Sequence, residues 1–390
     1  MRQAATVPSV HGRVAPGYER VAEAFERNFA EHGEVGAAFA AVVGGEPVAD
    51  LWGGMADRRH DVPWAEDTLV GIFSGTKGLT ATCMLLLVER GLLDLETPVC
   101  HYWPEFAAEG KQGVLVRHVV SHRAGLPGLA TPVTVEEATD DVRMAALLAA
   151  QAPITRPGAW HCYHGVTFGW LCGELVRRVD GRSIGRFFQE EIAQPLGLEC
   201  WIGLPASLEP RVAVIERETG SADEAVPPQG SIGWSVWANP PRFLGHDLAA
   251  NVRAWHAAEI PATNAIVAAR STARLYACLA AGGELDGVRL CSPATIELGR
   301  RCLGRGYDPY LHGPTAFALG FQLQTDLMLL GPHPAAFGHT GAGGSAHGAW
   351  PELDVGFSYA MNQLGSLGAN DPRCHVLLEA LHRAVVDRAS

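Results

Sequence analysis

The sequence predicts an α+β fold in which both ends of the chain contribute to one antiparallel sheet. Near the N terminus, "VGAAFAAVVGGEPVADLWGGMADR" has the pattern of two strands joined at Gly44-Gly45-Glu46. Near the C terminus, strands are indicated by "FALGFQLQT" and by "GSAHGAWPELDVGFSYAMN", which has a tight turn near Pro351-Glu352. Between residues 92 and 331 the patterns are mainly helical, so we expect a helical lobe beside the sheet.

The helical patterns divide into separate segments. Apolar residues recur at helical spacing in "YERVAEAFERNFAEH", which predicts an amphipathic helix over residues 18–32. Further helices are predicted over residues 75–90, 135–151, 165–181, 183–197, 271–283 and 374–388, with Pro195 breaking the fourth of these six. Residues 219–241 are rich in proline and glycine, and we predict a long surface loop there.

The composition argues against several classes of protein. Hydrophobic residues make up 47% and charged residues 18% of the 390-residue chain, which is not typical of disorder. A net charge of -12 without a lysine or arginine block argues against a nucleic-acid partner. The longest apolar run, over residues 79–88, is shorter than the roughly 18 residues that a membrane span requires.

The N-terminal residues and the cysteines indicate in which cellular compartment we expect the protein. The start "MRQAATVPSVHGRVAPGYERV" lacks the apolar segment of a signal peptide, so we expect a cytoplasmic protein without a membrane partner. The nine cysteines are widely scattered and include no C-x-x-C pair, which fits neither a disulfide framework nor a zinc cage. We therefore expect reduced, mostly buried thiols.

The stretch "GIFSGTKGLTATCMLLLVERG" places Ser74 and Lys77 three residues apart at the start of an apolar helix. Side chains at this spacing lie on one face of a helix. A serine hydroxyl is a poor nucleophile until a base takes its proton, and burial near the positive end of a helix favours the neutral, basic form of a lysine. The pair indicates a nucleophile with its base, although a helix-capping serine beside a lysine that reaches solvent has the same pattern.

Two further segments carry candidate site residues. Tyr163, in "PGAWHCYHGVTFGW", precedes a predicted helix, where it can act as a second base or merely pack at the helix entrance. In "FGHTGAGG", residues 337–344, the glycines permit close backbone approach to a ligand, and an N–H at a strand edge can hold an oxyanion. A loose glycine turn is the alternative there. No G-x-S-x-G or H-E-x-x-H motif occurs, which argues against an α/β-hydrolase and a zinc hydrolase.

In this order and spacing, the three motifs resemble the serine β-lactamase and penicillin-binding-protein superfamily, and most closely its class C β-lactamase-like (family VIII) carboxylesterases. The resemblance extends through "SGTKGLTA", "GLLDLETPV", "VVSHRAGLP", "PGAWHCYHGVTFGWLCGELVRRVDGRS", "IAQPLGLE" and "FGHTGAGGSAHGAWPELDVGFSYAMN". It implies a β-lactamase-like (DD-peptidase-like) fold with a single catalytic domain over residues 1–390. We expect a sheet lobe of residues 1–75 plus 315–390, a mainly helical lobe of residues 76–314, and an active site between them.

The resemblance also implies roles for individual residues. Ser74 would be the nucleophile, with Lys77 and Tyr163 sharing the base and acid roles. The backbone N–H groups of Ser74 and Ala342 would form the oxyanion hole. His122, in "VVSHRAGLP", would support a loop by hydrogen bonding.

Two departures from the β-lactamase pattern concern the substrate. Gly165 replaces the asparagine of Y-x-N, so the amide that would bind a substrate carbonyl is missing. The segment His339, Thr340 and Gly341 stands where β-lactamases have K-T-G, and an imidazole is a poorer anion clamp than an ammonium group. His339 contacts the substrate or has a structural role, and Trp350 is a candidate for an apolar acyl pocket.

We therefore predict a serine hydrolase that cleaves carboxylic esters through an acyl-enzyme, with weak or no β-lactamase activity. Its partner would be a small-molecule ester or acyl substrate, and no metal or organic cofactor is implied. An acyltransferase, thioesterase or peptide cyclase of natural-product biosynthesis shares the acylation step and is an alternative, as is a D-amino-acid amidase or peptidase. The non-enzyme alternative is an inactivated scaffold protein, against which the intact Ser74, Lys77 and Tyr163 weigh. The sequence carries no prediction of the oligomeric state.

Overall fold

Strands occur near both ends of the chain and in short pairs between the helices. The computed structural model describes residues 9–159, 161–217, 226–241, 248–365 and 371–389. In chain order the strands are β1 (Val10–Val14), β2 (Gly36–Val43), β3 (Glu46–Asp57), β4 (Val62–Pro63), β5 (Val70–Gly71), β6 (Cys200–Trp201), β7 (Glu216–Arg217), β8 (Ile266–Val267), β9 (Glu284–Leu285), β10 (Val288–Arg289), β11 (Gly304–Asp308), β12 (Gly313–Phe317), β13 (Gln322–Leu323), β14 (Phe337–Thr340), β15 (Ala346–Trp350), β16 (Val355–Met361) and β17 (Gln363–Leu364).

The helices lie mostly between the two groups of longer strands. In chain order they are α1 (Glu19–Glu31), α2 (Thr76–Glu89), α3 (Val99–Tyr102), α4 (Val116–Val120), α5 (Asp141–Ala150), α6 (Thr167–Asp180), α7 (Ile184–Phe188), α8 (Gln194–Leu196), α9 (Ile232–Trp237), α10 (Arg253–Ala257), α11 (Ala269–Ala280), α12 (Pro293–Arg300) and α13 (Pro372–Ala389). None of the helices in the described ranges is long and apolar enough to cross a membrane.

One antiparallel sheet joins the two ends of the chain, as the sequence predicts. In the described part of the chain it has ten strands, in the order β1-β3-β2-β16-β15-β14-β13-β12-β11, with β4 paired to β3. Strands β2 and β16 pair in register from Ala37 opposite Met361 to Val43 opposite Val355. The α+β fold class is therefore confirmed. The sheet also includes β11 and β12, which begin before the predicted lobe boundary at residue 315; the division into two lobes stays a prediction.

Helices cover both faces of the sheet. Helix α11 packs against β2, β15 and β16, and comes so close that a Cβ on Gly356 would lie 2.1 Å from the backbone nitrogen of Ala277. Successive residues of a strand point to opposite faces. Phe357 accordingly faces the other side, where it contacts Trp350, which in turn contacts His382 of α13. The core thus lies on both faces of the sheet.

Several predicted elements are confirmed with small changes in their bounds. The hairpin turn at Gly44-Gly45, the turn after Trp350, and helices α1, α2, α6, α11 and α13 all occur where the sequence predicts them. All nine cysteines lie within the described residues, and each is unpaired. Helix α7 continues through a π-helical segment into α8, so Pro195 lies in the last helical turn rather than ending the helix earlier.

Three predicted elements were wrong in part. The helix predicted over residues 135–151 begins only at Asp141, because the side chain of Asp140 caps it by accepting the N–H of Arg143 at 2.9 Å. The strand predicted over residues 317–325 is interrupted by a turn in which the Ala318 N–H donates to the Phe321 carbonyl at 2.9 Å. Helix α9 lies in the predicted surface loop, of which residues 219–225 lie outside the described residues.

Candidate active site

Ser74 lies in the 3-10 turn Phe73–Gly75, immediately before helix α2. The residue before it, Phe73, has a φ of 47°, in the left-handed region that non-glycine residues rarely adopt. Backbone conformations of this kind concentrate at functional sites, where the surrounding structure maintains them. Ser74 lines a pocket, so its side chain is open to a ligand.

Lys77 is fully buried one turn further along α2. Its Nζ donates to the Ser74 Oγ at 3.1 Å and to the carbonyl oxygens of Gly165 and Ala262 at 2.8 Å each. A buried ammonium is stable only when such acceptors replace water. The alternative of a lysine that reaches solvent is therefore wrong, because the side chain points into the protein toward the serine.

Tyr163 meets the same serine from another part of the chain. Its hydroxyl donates to the Ser74 Oγ at 2.9 Å, and the Lys77 Nζ lies 4.8 Å from the centre of its ring. The backbone N–H of Tyr163 donates to the carboxylate of Asp308 at 2.5 Å. Asp308 is fully buried and also accepts the N–H groups of Tyr310 and Leu311, at 2.8 and 3.0 Å. The carboxylate thereby positions the tyrosine.

The role of Asp308 was not predicted from the sequence. The only local signal is the turn pattern of an aspartate before a proline in "GYDPY", since aspartate side chains often accept N–H groups of their own turn. That pattern indicates a turn, but it does not indicate which distant N–H the second carboxylate oxygen will accept.

Two buried histidines support the segment that carries Tyr163. The Nδ1 of His122 accepts the backbone N–H of His164 at 3.0 Å, which confirms the predicted hydrogen bond from His122 to a loop. The His164 ring donates from Nδ1 to the Cys162 carbonyl at 2.6 Å and accepts the Leu126 N–H on Nε2 at 3.2 Å. Burial lowers the pKa of His164 to about 4 and that of His122 well below its usual value. Both rings are therefore neutral.

The glycine-rich turn after β14 lies directly beside the serine. The Gly341 N–H donates to the Ser345 carbonyl at 2.8 Å, and a Cβ on Gly341 would lie only 2.4 Å from the Ile72 carbonyl oxygen. Ala342 in this turn lines the pocket together with Ser74. Within the described ranges the Ala342 N–H makes no hydrogen bond, so it can donate to a ligand.

His339 lines the pocket with a neutral imidazole ring. Its Nδ1 lies 2.7 Å from the Thr340 carbonyl, which can only accept, so Nδ1 carries the proton and Nε2 a lone pair. Burial, followed by the charge of Lys77, lowers the pKa of His339 to about 3. The Thr340 N–H and hydroxyl both donate to the Gln322 side-chain oxygen at 3.0 Å. This part of the pocket therefore carries no positive charge.

His347 is a second buried histidine on the neighbouring strand, and its role was not predicted from the sequence. It lies opposite His339 in the β14–β15 ladder, and a Cβ on Gly75 would lie 2.5 Å from its Cδ2. Its Nδ1 is hydrogen-bonded to the Ser358 hydroxyl at 2.8 Å, and burial lowers its pKa to about 3. Only a glycine at position 75 permits this close contact between the turn that carries Ser74 and the sheet.

The pocket has a polar end at the serine and a largely apolar wall. The polar end is formed by Ser74, Tyr163, His339 and the turn at Gly341 and Ala342. The apolar wall includes Trp237, Leu311, Phe317, Leu327, Met328 and Leu378. No lysine or arginine lines the pocket in the part of the chain that the structure describes. The described residues likewise contain no group of three or more His, Cys, Asp or Glu side chains that could hold a metal ion.

The sequence profile of the family described as Beta-lactamase matches residues 21–381. The chain belongs to the beta-lactamase family. It is 37% identical over 373 residues to "Esterase/beta-lactamase LipL" of Mycobacterium tuberculosis, covering 91% of this chain and 83% of that protein. It also resembles the crystal structure of a family VIII carboxylesterase, with a TM-score of 0.89 and 39% identity over 96% of this chain and all of the other.

A further similar structure is that of EstA from Arthrobacter nitroguajacolicus, with a TM-score of 0.87 and 33% identity over 97% of this chain and 100% of that chain. A penicillin-binding protein homologue from Caulobacter crescentus has the same TM-score at 39% identity, over 96% of this chain and 100% of that chain. The predicted β-lactamase-like fold and the resemblance to carboxylesterases and penicillin-binding-protein homologues are therefore confirmed.

In this beta-lactamase family member, two of the predicted substrate-binding residues lie outside the pocket wall. Gly165 is buried, and its carbonyl accepts a hydrogen bond from Lys77, so its backbone helps to fix the position of the lysine side chain. Trp350 is fully buried in the core, and its indole N–H donates to the Leu330 carbonyl at 2.8 Å. Neither residue lines the pocket beside Ser74. We therefore expect neither Gly165 nor Trp350 to contact the substrate directly.

Proposed function

We propose that this protein is a serine carboxylesterase that works through an acyl-enzyme with Ser74 as the nucleophile. The observation that supports this most directly is the convergence of two proton-transferring groups on one hydroxyl. The Lys77 Nζ and the Tyr163 hydroxyl lie 3.1 and 2.9 Å from the Ser74 Oγ, which is open to the pocket. Groups within this distance can transfer a proton to or from a serine during attack.

In the proposed acylation step, the Lys77–Tyr163 pair has already lost one proton to solvent. The Ser74 Oγ forms a bond to the ester carbonyl carbon, and its proton passes to the deprotonated member of this pair. Backbone N–H groups of Ser74 and Ala342 then donate to the oxyanion that develops on the carbonyl oxygen. The bond to the alcohol breaks as the oxyanion collapses, and Tyr163 donates a proton to the leaving oxygen. Water repeats the same sequence on the acyl-enzyme, which releases the acid and restores the serine.

The charge of the pocket favours esters over β-lactams. Among the described residues that line the pocket there is no lysine or arginine, and His339 is neutral with a lone pair on Nε2. A carboxylate, such as the one on penicillins, would therefore meet no cation there. The apolar wall instead suits an uncharged, hydrophobic acyl or alcohol group. The names of the similar proteins, an esterase/β-lactamase and a family VIII carboxylesterase, support the same substrate class.

A direct comparison of substrates tests the proposal. Nitrophenyl esters of increasing acyl length, a penicillin and a cephalosporin are assayed with the same enzyme preparation. We expect efficient turnover of short and medium esters and little or no turnover of the β-lactams. Cephalosporin turnover as efficient as that of the best ester would contradict the proposal.

The same assay distinguishes hydrolysis from acyl transfer. A small alcohol or amine is added once the acyl-enzyme has formed, and the ratio of the transfer product to the free acid is measured. A hydrolase produces mainly the free acid at moderate acceptor concentration. A dominant transfer product would instead favour an acyltransferase on the same fold.

A further inference from the structure

A buried ionic cluster contacts the glycine-rich turn, and one of its members, Asp371, lines the same pocket as Ser74. At its centre is Arg373, which is 3% exposed and lies in the first turn of α13. Its guanidinium donates to the Gly343 carbonyl at 2.9 Å and the Gln363 carbonyl at 3.0 Å. It also donates to the carboxylates of Glu34 at 3.1 Å and Asp371 at 2.6 Å. The planar guanidinium thus binds two carboxylates and two carbonyls at once.

The cluster is held by several parts of the fold. The second carboxylate oxygen of Glu34 accepts a hydrogen bond from the hydroxyl of Tyr359 on β16. The carbonyl of Arg373 itself accepts the Asn28 side-chain amide of α1 at 3.0 Å. Helix α1 therefore holds the Arg373 backbone, and β16 orients Glu34, which accepts a hydrogen bond from the guanidinium. A charged group removed from water needs partners of this kind, and their rigidity limits its orientations.

The turn between Gly341 and Ser345 is enclosed between this cluster and the nucleophile segment. The Gly343 carbonyl oxygen accepts a hydrogen bond from the Arg373 guanidinium. It accepts a second one from the Gly365 N–H at 3.0 Å. A Cβ on Gly344 would lie 2.3 Å from the Asp371 carboxylate. Ala342, whose N–H is open to the pocket, lies between this anchored part of the turn and Gly341.

We infer that Arg373 is a positioning residue that holds the Ala342 N–H where it can stabilise an oxyanion. This inference rests on the proposed function, since it requires that Ala342 donates to the reacting carbonyl oxygen. Without the Arg373–Gly343 hydrogen bond, the turn loses one of its two donors at that carbonyl. The Ala342 N–H would then move relative to the Ser74 Oγ. Oxyanion stabilisation depends on donor placement within a fraction of an ångström, so the loss would lie in kcat rather than in KM.

The test compares Arg373→Lys and Arg373→Met with the wild type on a nitrophenyl ester, well below the melting temperature of each variant. The expected result is a drop in kcat of about 10- to 100-fold for Arg373→Met with little change in KM, on the scale of a misplaced oxyanion donor. Arg373→Lys keeps the charge and should recover part of kcat. An aryl boronic acid, whose adduct with Ser74 places an oxygen in the oxyanion hole, should lose affinity in parallel with kcat.

Glu174→Gln is the matched control. Glu174 is a buried carboxylate on α6 that pairs with Arg177 and Arg178 away from the pocket. Its replacement should lower the melting temperature without changing kcat or boronate affinity. If Arg373→Met does not fold, Arg373→Lys alone decides the matter through its kcat and boronate affinity.

The outcomes separate this inference from the proposed function. Arg373 variants that melt earlier but keep wild-type kcat and boronate affinity would show that the cluster only stabilises the fold, and the inference would be wrong. A wild type that neither hydrolyses esters nor binds the boronic acid at Ser74 would overturn the proposed function, and this inference with it.

Discussion

The Lys77 side-chain nitrogen lies 3.1 Å from the Ser74 hydroxyl oxygen, although no part of the lysine is exposed to solvent. An ammonium group has three donors, and Lys77 directs its hydrogen bonds to Ser74 and to the carbonyls of Gly165 and Ala262. The two carbonyls belong to segments that are far apart in the sequence, and together they hold the lysine side chain in place. The lysine therefore has a defined position beside the proposed nucleophile before any substrate binds.

Ser74→Ala should abolish ester hydrolysis and leave the fold intact, because in the proposed mechanism all acyl-enzyme chemistry passes through this hydroxyl. We expect a loss of at least about 10³-fold, the scale seen when other serine nucleophiles are removed. Mass spectrometry after treatment with a phosphonate should show the adduct on the peptide that carries Ser74. An adduct on Ser121 or Ser345 instead would mean that the nucleophile is assigned wrongly.

Tyr163→Phe removes the hydroxyl that lies 2.9 Å from the Ser74 Oγ while keeping the ring in place. We expect a loss of activity of at least about 10²-fold, typical of a positioned acid–base group. Tyr276→Phe is the matched control, because Tyr276 is also buried and its hydroxyl has no hydrogen-bond partner among the described residues. Near-wild-type activity in Tyr163→Phe would show that Tyr163 only packs at the helix entrance.

Lys77→Ala should reduce activity at least as much as Tyr163→Phe. The change removes both a proton acceptor for Ser74 and the charge that lies 4.8 Å from the centre of the Tyr163 ring. Two groups so close to one hydroxyl titrate as a pair, so a pH–rate profile reports on both together. We expect the wild-type rate to rise through neutral to mildly alkaline pH, and this rise to be lost in Lys77→Ala. A variant with an unchanged profile would argue against a role for Lys77 in proton transfer.

His339→Lys tests whether the missing cation limits β-lactam recognition. A lysine would restore the ammonium of K-T-G at a position that lines the pocket, and we expect cephalosporin binding to improve by about 1 kcal/mol, or roughly fivefold. Inhibition constants of a cephalosporin against ester hydrolysis provide the measurement. His339→Gln, which is uncharged, serves as the control. Equal affinity in all three proteins would show that charge at this position does not determine selectivity.

The stability of the protein should fall as the pH drops below about 6.5. Burial lowers the pKa of His164 to about 4 and those of His339 and His347 to about 3, and that of His122 well below its usual value. The unfolded chain therefore binds more protons than the folded protein between these values and about 6.5. Each histidine can contribute up to about 1.4 kcal/mol per pH unit to the loss of unfolding free energy.

Urea unfolding at pH 7, 6 and 5 measures this dependence. Glu34 acts in the opposite direction, because burial raises its pKa to about 7, and burial also raises the pKa of four other carboxyls, Asp50, Asp141, Glu259 and Asp354. Burial likewise lowers the pKa of three more histidines, His118, His161 and His333, so the histidines remain the larger group. His347→Asn, which keeps a polar partner for Ser358, should reduce the slope. Unfolding free energy that rises as the pH falls from 7 to 5 would contradict the prediction.

Patterns within short stretches predicted much of the fold. The strands around Gly44-Gly45 and on either side of Pro351, and the helices beginning near residues 19, 76 and 167, follow from periodicity and from turn residues. The errors also have local causes. A capping aspartate at position 140 shortened one predicted helix, and a glycine turn near residue 320 divided one predicted strand, because these features override a weak hydrophobic pattern.

By itself, the sequence determined the Ser74–Lys77 pair, because residues three apart in consecutive helical turns lie on the same face. Only the tertiary structure decided what joins them: Tyr163 comes from 89 residues away, and the Ala262 carbonyl from 185 residues beyond Lys77. The tertiary structure likewise places Trp350 in the core, although the sequence around Trp350 allowed a position in the pocket wall. Local spacing constrains neighbours along a helix or strand, whereas contacts between distant residues depend on how strands pair and helices pack.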